Sequence, residues 1–166
     1  MKVLYLSAWY PTERDAMAGL FVQKHAEAVR QQGADVKVLY TEATGLKWYV
    51  EMWRLWRQLK QEWGMPDLVQ LNVLDKNGIL ALWLKFFHRI PYIVVEHWTG
   101  YLPANFAFRG GVHGWVMRKI AKQASCILPV SRMLEEAMKT CGIQNQRWHL
   151  INNVVDDFFY HQISHI

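Results

Sequence analysis

Short aliphatic and β-branched runs recur along the chain at Val3–Leu6, Asp35–Tyr40, Leu68–Val73, Tyr92–Glu96, Cys126–Val130 and His149–Val155, and each has the length of a strand. Between them the apolar period changes. Phe21, Val22, His25, Ala26 and Val29 fall on one side of a helix that ends at Gly33. Strands alternating with helices predict βαβ units, right-handed crossovers and a mainly parallel sheet. The strand runs lack in/out alternation, as expected when helices cover both faces. The expected fold is a doubly wound α/β three-layer sandwich. Gly33, Pro66-Asp67, Pro91 and Gly142 punctuate its elements, and Pro103–Gly114 is the longest irregular stretch, placed after the fourth strand where loops line a ligand crevice.

A second periodic segment, Lys47–Trp63, carries Tyr49, Met52, Trp56, Leu59 and Trp63 at spacings of three and four, widened by Trp48, Trp53 and Leu55. Arg54, Arg57 and Lys60 flank the stripe. A Trp-rich basic helix of this kind either packs on the sheet or lies in a membrane interface. A crossover helix must bury one stripe, which favours packing; contact of residues 47–63 with an anionic membrane is the secondary expectation.

Composition narrows the picture. A length of 166 residues with 52% apolar content suits one domain. A net charge of +5 suits nucleic acid, an anionic membrane or a phosphorylated ligand. The basic residues are dispersed and no helix-turn-helix, zinc-finger or RNA-binding pattern occurs, so no nucleic-acid partner is expected. Met1–Ser7 is too short an apolar run for a secretory signal, and Gly78–Phe87, broken by Lys85, falls short of the ~20 residues of a membrane span. Cys126 and Cys141 offer neither a disulfide framework nor metal-ligand spacing, and the histidines form no metal motif. A cytoplasmic protein without a metal or cofactor is expected.

The candidate chemistry lies at strand ends. Glu96-His97-Trp98-Thr99-Gly100-Tyr101 follows the fourth strand, at the carboxyl edge where open α/β sheets bind ligands. An imidazole and a carboxylate there can hydrogen-bond sugar hydroxyls, and the Trp98 and Tyr101 rings offer faces for sugars or acyl chains. The bland alternative is a capped strand end with satisfied polar groups. Gly19 opens the first helix and could admit a ligand phosphate, although a plain turn glycine explains it as well and the dinucleotide fingerprint is absent. Ser131 reads first as an N-cap.

Met1–Ser7 through Trp9-Tyr10-Pro11, then Gly19-Leu20-Phe21-Val22 and a helix ending in Gln32-Gly33, resembles the opening of family 4 (group 1) glycosyltransferases. Asp35–Leu39, Pro91–His97, Ile127–Ser131 and Leu150–Asp156, with Asn153 and Asp156 matching, follow in the family's order. The resemblance implies a Rossmann-like N-terminal, acceptor-side half of a GT-B fold over residues 1–156, with 157–166 starting a linker to a C-terminal donor-binding domain.

It further implies a retaining transferase that moves a sugar from a nucleotide-sugar donor to a glycan or lipid-linked acceptor, without a bound metal, at the inner face of the membrane. The second domain would supply donor binding, so this half alone should be inactive. By the same resemblance Gly19 lies beneath the donor diphosphate and His97 beside the transferred sugar, while Glu96 and Ser131 belong to the acceptor or sugar site, which Trp98 and Tyr101 join by the ring faces read above. The competing expectation is a stand-alone nucleotide- or partner-binding module without catalysis.

Overall fold

The computed structural model describes residues 1–152. Five parallel strands, β1 (Lys2–Ser7), β2 (Asp35–Leu39), β3 (Leu68–Asn72), β4 (Tyr92–Glu96) and β5 (Ile127–Pro129), form one sheet in the order β2-β1-β3-β4-β5. The helices between them are α1 (Leu20–Gln31), α2 (Gly45–Trp63), α3 (Gly78–His88) and α4 (Gly111–Gln123), and α5 (Arg132–Thr140) follows β5. The order reverses after β2, so α1 crosses on one face and α2, α3 and α4 on the other. This is the expected doubly wound, Rossmann-like three-layer architecture.

Strand periodicity divides the core. Val3 and Tyr5 pack with Val22 and Ala26 of α1, whereas Leu4 and Leu6 join the larger cluster formed with α2, α3 and α4. In α2 the residues Trp48, Met52 and Trp56, spaced by four, are buried against that cluster. Trp56 alone is 1% exposed, a burial worth roughly 2–3 kcal/mol. Trp53 packs edge-on against Trp83 of α3, and the Trp63 indole donates to the Asp35 carboxylate at 2.6 Å. The Trp-rich stripe is thus a packing surface; only Leu46, Tyr49 and Val50, at the start of α2, are strongly exposed apolar residues of that helix.

Two expected boundaries move. The stretch from Pro103 to Gly114 is not irregular throughout. One 3-10 turn, Thr99–Tyr101, precedes it, a second spans Pro103–Asn105, and α4 begins at Gly111. Glycine lowers helix propensity, yet a Cβ on Gly114 would lie 2.6 Å from the Arg109 carbonyl oxygen, so close packing selects glycine inside this helix. The expected strand His149–Val155 is no strand in its described part. Arg147–Ile151 instead runs beside β5 through backbone bonds from Ile127 to Arg147, from His149 to Ile127 and from Ile151 to Pro129. Its remainder, with Asn153 and Asp156 and the 156/157 boundary, lies outside the described residues.

Candidate functional site

The period-two rule continues past the end of β4 and sorts the residues that follow. Tyr92, Val94 and Glu96 face the α2–α4 side, while Val95 and His97 face α1. His97 shares a small crevice with Phe21 and His25, and its ring lies 4.1 Å from that of Phe21 in the first turn of α1. Trp98 instead lines a cavity of about 490 Å³ on the other side, together with Trp9, Asp75, Arg109 and His113. The hexapeptide from Glu96 to Tyr101 therefore serves two different pockets.

Glu96 organises this strand end. Its side chain is fully buried, and one carboxylate oxygen accepts from the His97 and Trp98 amides at 3.0 and 2.9 Å. The other accepts from the Leu74 amide at 2.9 Å and from the Tyr101 hydroxyl at 3.4 Å. Burial pushes its pKa up to about 7, against the pull of those amide donors. Four donors from the ends of two strands and the turn beyond thus converge on one carboxyl group. Tyr101 is buried as well, wedged between Trp98 and Phe108. Glu96 thus fixes the Trp98 backbone and Tyr101 backs its ring, which is the part of this segment that lines the cavity.

Gly100 makes that placement possible. A Cβ there would fall 2.1 Å from the Trp98 ring, so the indole can lie against the turn only over a glycine. Gly19 has a comparable role. It precedes α1 at φ 65°, in the left-handed region, and a Cβ on it would lie 2.4 Å from the Trp9 carbonyl oxygen. The helix it opens has no side-chain cap and no acidic residue in its first turn, and Asp15 accepts from the Met17 and Ala18 amides just before it. Ser131 is exposed and caps α5, its hydroxyl accepting from the Leu134 amide at 3.1 Å.

Three features of the cavity escaped the sequence reading. Asp75, just beyond β3, accepts from the Asn77 amide and side chain at 2.9 and 2.8 Å, and burial raises its pKa to about 6. The rule that singles out Glu96, a carboxylate at a strand's carboxyl end, applies equally to Asp75. Arg109 and His113 come from the turn before α4 and its first turn, where glycines obscured the helix start. Val73 also lines the cavity, at φ 70°. That conformation is strained for a β-branched residue and has no sequence signal. Its amide donates to Val95 at 2.8 Å, and the turn it makes brings the Leu74 amide to Glu96.

Among the described residues no group of three or more His, Cys, Asp and Glu side chains is arranged to hold a metal ion, and no helix is long and apolar enough to cross a membrane. A family model described as a glycosyl transferase 4-like domain matches residues 10–154. No curated protein matches the chain.

Proposed function

Because the chain belongs to the glycosyl transferase 4-like family, we propose that it forms the acceptor-side half of a retaining transferase that takes a sugar from a nucleotide-sugar donor to a glycan or lipid-linked acceptor. The observation that carries this reading is the meeting of the α1 N-terminus with His97 across the end of the sheet, through the Phe21 ring. The donor diphosphate sits at the positive end of α1, which Gly19 opens. His97 lies beside the transferred sugar and hydrogen-bonds its hydroxyls as charge develops.

The acceptor occupies the neighbouring cavity, its ring against Trp98 and its hydroxyls toward Asp75. Glu96 and Tyr101 act on that site by holding Trp98, and Ser131 is an acceptor contact at the head of α5. In transfer, the bond from the anomeric carbon to the diphosphate breaks as the bond to the acceptor oxygen forms, and the proton of the acceptor hydroxyl passes to the departing diphosphate. A leaving diphosphate requires preorganised cations or dipoles beyond one helix terminus, so a second, donor-binding domain completes the site and this half alone is inactive. The enzyme works in the cytoplasm at the inner face of the membrane.

Titration calorimetry with UDP, GDP and their sugar conjugates tests the reading on the 166-residue chain, its His97→Ala variant and the chain supplied with its donor-binding half. Weak or no nucleotide binding by the chain alone, with His97-dependent transfer once the donor half is supplied, is the expected result. Tight nucleotide binding by the chain alone, without transfer in either form, overturns it and identifies a self-sufficient binding module.

A further inference from the structure

Charge is segregated along this chain in a way that the fold turns into a surface. From Lys76 to Leu134 the sequence carries eight Lys and Arg and a single carboxylate, Glu96. That carboxylate is wholly buried. Helices α3 and α4, which fall in this stretch and pack against one another, therefore present no acidic side chain at all.

The same two helices expose large apolar side chains. The inward stripe of α3 is Leu80, Ala81 and Leu84, and that of α4 is Met117, Ile120 and Ala121. Phe86 of α3 faces away from its stripe and is 62% exposed, Phe87 at the end of α3 is 73% exposed beside Trp83, and Val112 and Trp115 of α4, facing away from theirs, are 80% and 59% exposed. Lys119 and Lys122 continue the Val112–Trp115 ridge at helical spacing, and the Lys119 ammonium lies 5.5 Å from the Trp115 ring centre.

We infer that the outer face of α3 and α4 docks on the interface of an anionic lipid bilayer. Exposed Phe and Trp side chains enter the headgroup boundary, lysine stems lie along them with ammonium groups at the phosphates, and no exposed carboxylate on either helix opposes the negative surface. This places membrane contact on α3 and α4 instead of the Trp-rich stripe of α2, whose Trp48, Met52 and Trp56 are committed to the core. The face adjoins the acceptor cavity, because His113 lines that cavity while Val112 beside it projects outward. The inference goes beyond the transferase reading and stands independently of it.

Co-sedimentation of the full chain with phosphatidylcholine vesicles, with and without 30% phosphatidylglycerol, tests it. Binding is expected only to the anionic vesicles, weakened at least about tenfold by Phe86→Ser with Phe87→Ser, and likewise by Lys119→Glu with Lys122→Glu. Leu46→Ser with Val50→Ser on α2 should change it less than about twofold. Circular dichroism and urea unfolding establish that every variant folds, and all the substituted side chains are exposed. Equal binding to neutral vesicles, no binding to either kind, or loss through the α2 variant alone overturns the inference. Binding to a polyanion such as heparin that matches vesicle binding and ignores the Phe86 and Phe87 changes also overturns it, pointing to a purely electrostatic, nucleic-acid-like partner.

Discussion

The ring of His97 rests on the ring of Phe21, with centroids 4.1 Å apart and planes inclined by 36°. One residue follows β4 and the other opens α1, so the contact joins the two segments assigned to sugar and diphosphate. His97→Ala in the complete enzyme should lower kcat by about 100-fold or more, the scale for removing a donor aimed at developing charge. Phe21→Leu, which keeps apolar volume but loses the ring platform, should lower kcat by a smaller factor, about tenfold, with the acceptor KM unchanged. Steady-state kinetics on both variants distinguishes a positioned imidazole from a merely structural one.

Glu96 should couple stability to pH. Its folded pKa of about 7 stands above the value of 4.5 for an unperturbed carboxyl, so the folded state holds the proton more tightly. The associated stability is full below about pH 4.5 and is lost as pH rises through 7. Asp75, raised to about 6, adds a decline of the same sign at lower pH. Urea unfolding between pH 5 and 8 should show the stability gap between the native chain and Glu96→Gln narrowing as pH rises; a widening gap would refute the assignment.

Gly19→Ala should destabilise the chain by at least about 1–2 kcal/mol, the cost of a left-handed backbone at a residue with a Cβ. The contact at 2.4 Å with the Trp9 carbonyl adds to it. Equilibrium unfolding measures this directly, and a neutral result would mean that the loop from Trp9 to Gly19 gives way freely.

Trp98→Ala should raise the acceptor KM about tenfold, equivalent to roughly 1.4 kcal/mol of lost ring contact, while donor affinity stays constant. Gly100→Ala should produce the same KM change without touching the ligand, since its Cβ would displace the Trp98 ring. Parallel kinetics on the two variants checks the dependence of one on the other.

Val73→Gly should cost less than Val94→Gly by about 1–2 kcal/mol, because glycine releases the left-handed strain at position 73 while both changes delete a buried isopropyl group. Urea midpoints of the two variants give the comparison. Equal losses would show that the Val73 conformation carries no strain.

Much of this was legible in the residues. The runs at Val3–Leu6, Leu68–Val73 and Tyr92–Glu96 announced strands because aliphatic and β-branched side chains suit a sheet covered on both faces. Ser131 was readable as an N-cap from one hydroxyl before a helical period, and the structure shows that bond. The start of α4 was hidden because three glycines around it read as loop; of these Gly111 adopts a positive φ of 62° and Gly114 sits where a Cβ would meet the Arg109 carbonyl oxygen, so two of the three meet backbone demands of the helix start itself. Arg109 and His113 lie in the Pro103–Gly114 stretch expected at the crevice, but no local signal singled out either side chain.

The sequence by itself determined the alternation of strands and helices and the parallel sheet, since period, length and punctuation are local properties of the chain. Only the tertiary structure decided which pocket each residue serves. Adjacent residues leaving a strand project to opposite faces, so His97 turns to α1 and Trp98 to the cavity shared with Asp75. Nor could local pattern say that Trp48 and Trp56 of α2 are spent inward while Trp115 of α4 stays outward with Phe86, Lys119 and Lys122. A helix stripe shows that one side will be buried; which apolar residues remain outside depends on the neighbours that the fold brings against it.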